Sequence, residues 1–316
     1  GAWSWQGKKE EAISLMAGAK KLTTNLLVAQ EPFDYFEPTA AAIEEALTLA
    51  SQADKVVVAL GETDWMSGEA ASRSDIRLPE KQLAVVAQII EKNPNVVVTV
   101  YSGRPLDLQG IDVAKGIVQA WQPGTEGGNA LAEILWGQYN PSGRLSMSFP
   151  ETVGQVPIFY NVDNTGRPYE SAPEEKYVSK YLDVSNYAKY PFGFGLSYSH
   201  FSYQPIQLSA LTFTKEQPIT VSVLVRNDSP IAGEETVQFY VRDLVGQVVR
   251  PIKELKDFQK VWLEPKEEKE VQFLLSEDMV RYVHSDNQVT SDAGEFIVMI
   301  GGNSRDVQTT TVTLNE

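Results

Sequence analysis

The first 137 residues alternate between two hydrophobic periods, and this alternation constrains the fold more than any other feature of the sequence. Short continuous apolar runs, typical of strands buried in a parallel sheet, are separated by segments with the helical period. The predicted strands are 55–60, 95–101 and 116–121, with a short extended run at 26–28. The predicted helices are 10–22, 41–53, 78–90 and 128–136. This order predicts an open α/β sandwich domain over residues 1–150, with a mostly parallel sheet.

The hydrophobic period changes to two from about residue 201, where apolar and polar residues alternate between turn residues. The predicted strands are 219–226, 235–242, 255–263, 270–275 and 295–300. Several short strands at this spacing predict a β-sandwich of the fibronectin type III kind over 201–316, without a cysteine pair. The intervening residues 151–200 are rich in Pro, Gly, Asn and Tyr, which predicts an irregular connector packed by its aromatic side chains.

The composition excludes several classes of function. Lys and Arg number 27 against 42 Asp and Glu, and a net charge of −15 argues against nucleic acid or an anionic membrane as a partner. With 0 Cys and 2 His, neither thiol chemistry nor a multi-His metal site is expected, and no cofactor is predicted. No signal peptide is visible in the first residues. The compartment is left undetermined, with the cytoplasm slightly favoured over the periplasm or secretion.

The stretch from residue 61 to residue 73 carries the most chemistry. It follows a predicted parallel strand, and ligands bind beyond the carboxyl ends of such strands. Its notable residues are Gly61, Glu62, Asp64, Trp65, Gly68 and Glu69. A carboxyl held in a partly dry pocket can donate a proton near neutral pH. The residue types alone leave open a solvated acidic loop, in which Arg73 pairs with Asp75 or Glu69.

Two glycine-rich stretches are candidates for ligand-binding loops. Residues 124–129 run from a strand into a helix, a place that can hold phosphate, but they lack the Walker lysine and the dinucleotide spacing. Close strand–helix packing at Gly127 and Gly128 is therefore the preferred interpretation. Residues 191–198 contain a G-x-G but precede a β pattern, which favours a tight aromatic-packed turn.

Ordered motifs along the whole chain resemble the C-terminal half of family 3 glycoside hydrolases, the bacterial β-glucosidases. The motifs are Ser67-Gly-Glu-Ala-Ala-Ser-Arg73, Leu78-Pro-x-x-Gln82, Tyr101-Ser-Gly-Arg-Pro105, Trp121-x-x-Gly-Thr-Glu-Gly-Gly-Asn-Ala130, Tyr139-Asn-Pro-Ser-Gly-Arg-Leu-x-x-Ser-Phe-Pro150, Asn164-Thr-Gly-Arg-Pro168 and Pro191-Phe-Gly-Phe-Gly-Leu-Ser-Tyr198. The family has an N-terminal barrel, an α/β sandwich and a fibronectin type III-like domain. The chain resembles the last two parts, and the first strand of the sandwich is expected to lie outside the 316 residues.

The resemblance implies a retaining mechanism divided between two parts of one enzyme. The family's nucleophile is an Asp on the barrel, and its role is not transferred to Asp64 of Thr63-Asp64-Trp65. Glu69 matches the family's general acid/base, and it is expected to be solvated in this chain alone and to reach over the barrel. Trp65, Asp64 and Arg73 are candidates for contacting the substrate or supporting the loop.

The partners implied by the resemblance are β-linked glucosides or gluco-oligosaccharides and the barrel of the same enzyme. A homodimer is left open, and the isolated chain is expected to be inactive. One alternative is a non-catalytic carbohydrate-binding or docking module. In that case Trp65, Trp121 and Trp262 line a sugar site, although packing is the preferred role for most of them. The other alternative is a β-xylosidase of the same family.

Overall fold

The computed structural model describes residues 7–29 and 37–316. The chain divides into two compact units. The first unit contains residues Gly1–Tyr139 and Pro150–Val156, and the second contains Asn140–Phe149 and Pro157–Glu316. The expected order, an α/β domain with a parallel sheet followed by a β-rich domain, is confirmed. None of the helices in the described ranges has the length and apolar content needed to span a bilayer.

The first unit is built on a parallel sheet flanked by helices. Its helices are α1 (Leu15–Leu22), α2 (Ala40–Gln52), α3 (Glu80–Lys92) and α4 (Gly127–Leu135). Its strands are β1 (Val56–Gly61), β2 (Val96–Tyr101) and β3 (Gly116–Gln119), in the order β1-β2-β3 within the described residues. The Thr39 hydroxyl accepts a hydrogen bond from the Ala42 amide at 3.1 Å and so caps the N-terminus of α2.

The central strand β2 fixes where loops can form a site. Val96, Val98 and Val100 on one face and Thr99 on the other are fully buried, as expected of a strand covered on both faces. In the register, Gly61 pairs with Tyr101, and Val100 pairs with Gln119. The chain therefore leaves all three strands at one edge of the sheet, where the loops after β1, β2 and β3 meet.

Several local predictions for the first unit are wrong. The predicted helix over 10–22 begins at Leu15, because the Ser14 hydroxyl accepts the Ala17 amide at 3.1 Å and caps α1 there. Residues 26–28, expected as a short extended run, belong to neither a helix nor a strand. Gly128 packs on the start of α1 rather than on a strand. A Cβ at Gly128 would lie 2.2 Å from the Ser14 carbonyl oxygen, so only glycine fits.

The second unit is a two-sheet β-sandwich. One sheet contains β4 (Phe201–Tyr203), β5 (Gln207–Leu208), β7 (Ile219–Asn227) and β10 (Glu268–Leu275). The other has the order β6 (Thr212–Phe213), β14 (Val307–Leu314), β13 (Gly294–Gly301), β8 (Gly233–Asp243) and β9 (Glu254–Leu263). A hairpin pairs β11 (Tyr282–Val283) with β12 (Val289–Thr290). The inward side chains of both large sheets form one hydrophobic core.

Each of the five predicted strands of this region corresponds to an observed strand, with ends shifted by at most two residues. Strand β14 was not predicted. Its exposed face carries Thr309, Thr311 and Thr313, and its buried residues include Val312 and Leu314. The apolar signal of this strand is therefore too short to stand out from a turn.

The segment from residue 157 to residue 200 packs by aromatic contacts. Tyr160 stacks on Phe192 with ring centroids 4.4 Å apart and meets Tyr240 of β8 edge-on at 5.8 Å. The Gln238 amide donates to the Gly193 carbonyl at 3.1 Å, and a Cβ on Gly193 would collide with the Gln238 side chain. Residues 191–198 accordingly form a tight turn against β8. Burial raises the pKa of Tyr240 far above its ordinary value.

A buried ion pair attaches residues 140–149 to the β-sandwich. Arg144 Nη2 lies 2.8 Å from Glu235 Oε2, with both side chains at least nine-tenths buried. Glu235 also accepts a hydrogen bond from the Tyr203 hydroxyl at 3.1 Å. Burial, reinforced by this carboxylate, raises the pKa of Tyr203 well above its usual range.

Candidate active site

The loop between β1 and α3 forms the candidate site at the carboxyl edge of the parallel sheet. Its backbone is unusual on both sides of Glu69. Gly68 has a φ of 111°, which glycine tolerates, and Ala70 has a φ of 57°, which a residue with a Cβ adopts at a cost of about 1–3 kcal/mol. Such a conformation persists only where the surrounding contacts determine it, so the contacts of this loop must hold its backbone in place.

Glu69 lies at the exposed part of this loop. Its carboxylate has no hydrogen-bond or ion-pair partner within residues 7–29 and 37–316. Asp64 is also exposed, and Trp65 keeps 71% of its surface exposed. Residues 64–69 of the loop therefore present two carboxylates, Asp64 and Glu69, and an indole ring to solvent.

The third carboxylate of the loop, Glu62, is in a different environment. Its side chain is only 1% exposed and forms ion pairs with two arginines, Arg73 at 2.9 Å and Arg104 at 3.1 Å. Its other oxygen, Oε2, accepts a hydrogen bond from the Gly103 amide at 3.3 Å. A buried carboxylate matched by two guanidinium groups is held in place, and it is not available to solvent.

Arg73 pairs with Glu62, not with Asp75 or Glu69 as the solvated-loop interpretation expected. Its second terminal nitrogen donates to the Arg77 carbonyl oxygen at 2.9 Å. Asp75 instead binds Arg77, whose hydrogen bonds lower the pKa of Asp75 to about 2. The basic residues of the loop thus leave Glu69 unpaired.

Arg104 connects the loop after β2 to the loop that carries Glu69. Its Nη2 donates to the Met66 carbonyl oxygen at 2.6 Å and to the Ala71 carbonyl oxygen at 2.8 Å. The neighbouring Gly103 leaves room for Ser67, because a Cβ on Gly103 would lie 1.9 Å from the Ser67 hydroxyl oxygen. Both contacts fix the backbone on either side of Glu69.

A cleft of about 200 Å³ opens beside these residues at the sheet edge. It is lined by Glu62, Thr63, Asp64, Ser67, Tyr101, Ser102, Gly103, Trp121, Gln122 and Pro123. Trp121 has a φ of 53°, a left-handed conformation that is rare for a bulky residue. All three loops that leave the carboxyl edge contribute to this cleft, as the parallel register requires.

The remaining candidate residues lie elsewhere or have structural roles. Trp262 belongs to β9 of the second unit, is 49% exposed, and donates its indole N–H to Glu264 at 2.8 Å. The exposure of Trp65 and Trp262 argues against a place in the hydrophobic core of either unit and leaves packing between domains untested. His284 is buried and stacks on Tyr282 with ring centroids 4.1 Å apart. The described residues contain no cluster of three or more metal-ligating side chains.

The sequence did not indicate the pairing of Glu62 with Arg104. The two residues are 42 positions apart, and although Arg104 lies in the family motif Tyr101-Ser-Gly-Arg-Pro105, that motif says nothing about its partner. The one available signal is the parallel sheet. Because β1 and β2 are predicted neighbours, the first residues after each strand are expected to meet, and these include Glu62 and the stretch 102–104.

Fold and site together define a class of protein, an α/β domain with an acidic loop at its sheet edge joined to a fibronectin type III-like domain. The chain belongs to glycosyl hydrolase family 3, which confirms the resemblance. Residues 1–198 match the C-terminal domain of that family, and residues 235–304 match a fibronectin type III-like domain.

The similar proteins include enzymes of two specificities. A periplasmic β-glucosidase of Salmonella typhimurium is 35% identical over 98% of this chain and 43% of its own length. A β-xylosidase of Formosa agariphila is 34% identical over 85% of this chain and 37% of its own. The crystal structure of a β-glucosidase from Listeria innocua in complex with gluconolactone superposes with a TM-score of 0.93 at 36% identity, over 98% of this chain and 43% of that one. This chain therefore spans less than half the length of these relatives.

Proposed function

We propose that this chain is the C-terminal part of a retaining β-glucosidase, and that Glu69 is the general acid/base of its active site. The enzyme would release terminal non-reducing β-D-glucosyl residues from glucosides or gluco-oligosaccharides. The observation that carries the proposal is the environment of Glu69. It is an exposed, unpaired carboxylate between two residues with positive φ, in a loop anchored by a buried carboxylate and two arginines.

The proposed reaction needs a second carboxylate, which we assign to an Asp on a barrel domain outside these 316 residues. That Asp attacks the anomeric carbon while Glu69 transfers its proton to the departing glycosidic oxygen. In the second step the Glu69 carboxylate takes a proton from water, which attacks the glycosyl–enzyme ester and releases the sugar. In retaining enzymes the two carboxyl groups lie about 5–5.5 Å apart, so Glu69 must project from its own domain. Its exposure is compatible with this requirement.

The other loop residues take supporting roles in the proposal. Asp64 lines the cleft, and Trp65, the next residue, is exposed to solvent. Both are assigned contacts with the substrate, since a carboxylate accepts hydroxyl hydrogen bonds and an indole face suits a sugar ring. Arg73 is assigned to the support of the loop through Glu62. Structures of the Listeria innocua enzyme in complex with glucose and with laminaribiose are similar to this chain, with TM-scores of 0.91, which supports a glucosyl ligand.

A β-xylosidase is the second candidate function, because β-xylosidases of Formosa agariphila are also relatives at 32% and 34% identity. The comparison of kcat/KM for aryl β-glucosides and aryl β-xylosides separates the two.

A non-catalytic sugar-binding module is the third candidate function. On its own, the 316-residue chain is expected not to turn over an aryl glucoside. Millimolar binding of glucose or cellobiose to it, measured by calorimetry, would favour the module.

The test of the acid/base role is Glu69→Gln in the enzyme that contains this chain. We expect kcat/KM for cellobiose to fall by about 10²- to 10⁴-fold, because the sugar alkoxide needs a proton to leave. We expect kcat/KM for a dinitrophenyl glucoside to change much less, because this phenolate leaves without protonation. The ratio kcat/KM is the correct readout, since it reports the first, bond-breaking step.

Two control variants make the result specific to position 69. Asp64→Asn removes an exposed carboxylate five residues before Glu69 on the same loop and should affect both substrates equally. Glu80→Gln removes an exposed carboxylate at the start of α3 and should affect neither. Equal losses on both substrates in Glu69→Gln would refute the assigned role.

A further inference from the structure

We infer that Arg104 is a positioning residue for Glu69, and that Glu62 holds Arg104 in the orientation this task requires. The inference rests on the proposed acid/base role of Glu69. Arg104 lies on the loop after β2 and does not contact the Glu69 carboxylate. It acts through the backbone of the segment from Met66 to Ala71.

Two hydrogen bonds from one nitrogen of Arg104 hold together the two ends of the turn that carries Glu69. Arg104 Nη2 donates to the carbonyl oxygens of Met66 and Ala71, which lie three residues before Glu69 and two residues after it. These two bonds span the residues with positive φ, Gly68 and Ala70. The strained turn that projects Glu69 is therefore held at both ends by a single side chain from the neighbouring strand's loop.

Arg104 is in turn held in place by an ion pair with Glu62. The Glu62 carboxylate is buried and lies 3.1 Å from Arg104 Nε, an ion pair without hydrogen-bond geometry, so electrostatic attraction keeps the guanidinium beside Glu62 while its Nη2 reaches the two carbonyls. Arg73 binds the same carboxylate oxygen at 2.9 Å and offsets the cost of burying it. A lysine carries its charge at one point and lacks the rigid fork of donors, so it can pair with Glu62 without holding both carbonyls.

The chemical consequence follows from how sensitive proton transfer is to distance. A displacement of about 1 Å in a catalytic group can cost about 10²-fold in rate. If Arg104 sets the position of Glu69, its loss must damage the protonated departure of a poor leaving group. It must leave the departure of a good leaving group nearly intact. A residue that only stabilises the fold would lower both rates together.

The experiment compares Arg104→Met, Arg104→Lys, Glu69→Gln and the double variant Arg104→Met/Glu69→Gln in the enzyme that contains this chain. We expect Arg104→Met to lower kcat/KM for cellobiose by about 10- to 100-fold and for a dinitrophenyl glucoside by less than about 3-fold. On cellobiose the double variant should be no worse than Glu69→Gln within about 3-fold, because both changes remove one function.

The conservative variant and the control protect the test against a folding defect. Arg104→Lys should show the same dependence on leaving group with a smaller loss. Arg77→Met removes an exposed arginine that pairs with Asp75, and it should leave the ratio of the two substrates unchanged. If Arg104→Met is too unstable to assay, Arg104→Lys replaces it. The deciding quantity is then the loss of kcat/KM on cellobiose divided by the loss on the dinitrophenyl glucoside.

The outcomes separate the two claims. Equal losses on both substrates in Arg104→Met would overturn the positioning role. So would a double variant whose loss on cellobiose is the product of the two single-variant losses. In either case Glu69→Gln alone can still support the acid/base role. A Glu69→Gln variant with no dependence on leaving group would overturn the proposed function, and the positioning role would be refuted together with it.

Discussion

At position 103 the structure has space for a hydrogen atom and for little else. A Cβ there would lie 1.9 Å from the Ser67 hydroxyl oxygen and 3.0 Å from Ser67 Cβ, and Ser67 is itself buried. Ser67 precedes the turn that carries Glu69. A single methyl group at position 103 would therefore displace the loop that carries Glu69 without touching any carboxylate.

The residue-scale prediction concerns Gly103→Ala. We expect it to destabilise the enzyme by about 1–3 kcal/mol, because overpacking displaces Ser67, and to lower activity on cellobiose. Adding Ser67→Ala should restore part of both losses, since it removes the nearest atom. Gly154→Ala is the control. A Cβ there meets nothing within 4 Å, so the change should stay within about 0.5 kcal/mol. Thermal unfolding and kcat/KM check the prediction, and a Gly103→Ala variant that matches the control would contradict it.

At the scale of elements, a carboxylate joins the short 3-10 helix Glu277–Val280 to the β11–β12 hairpin. Glu277 accepts hydrogen bonds from Arg281 at 2.5–2.9 Å and from the Ser291 hydroxyl at 2.6 Å. The Arg281 hydrogen bonds are the largest cause that lowers the pKa of Glu277 below its ordinary value of 4.5, and the Ser291 bond adds to them. The folded state therefore prefers the charged carboxylate.

The sign of this pKa shift gives a pH prediction for Glu277→Gln. A carboxyl with a lowered pKa stabilises the fold above about pH 4.5, and this contribution disappears as the pH falls through the folded-state pKa. We expect the variant to be less stable by about 1–2 kcal/mol at pH 7, with a difference that shrinks below about pH 4. Asp278→Asn, which removes the exposed partner of the same Arg281, should have a small effect at either pH. Unfolding midpoints across pH 3–7 measure both, and a pH-independent difference would contradict the prediction.

Elements were predictable from the sequence where a strong local pattern set them. The apolar runs of β1 and β2 and the alternation in β7, β8 and β13 were found to within two residues. The start of α1 was predicted five residues too early, because the helical pattern continues before Ser14, whose side chain caps the helix. Exposure of Glu69 was expected, but its anchoring was not, since contacts between loops of different strands leave no local trace.

At the scale of the whole molecule, the proposed account divides one active site between two parts of a polypeptide. The described residues place Glu69, an exposed carboxylate without a partner among them, on a loop fixed by buried ion pairs. The relatives are more than twice as long as this chain. The central claim is that Glu69 exchanges protons while another carboxylate forms the covalent bond, so the decisive experiment must distinguish these two roles.

That experiment is the rescue of Glu69→Ala by azide, in the enzyme that contains this chain and with a dinitrophenyl glucoside as substrate. Azide needs no general base, and it can occupy the space left by the carboxylate on the face where water normally attacks. The account predicts a faster reaction with azide and a glucosyl azide of retained β configuration, read by NMR. A product of α configuration would make Glu69 the nucleophile, and an unchanged rate with no azide product would remove it from the chemistry; either result contradicts the account.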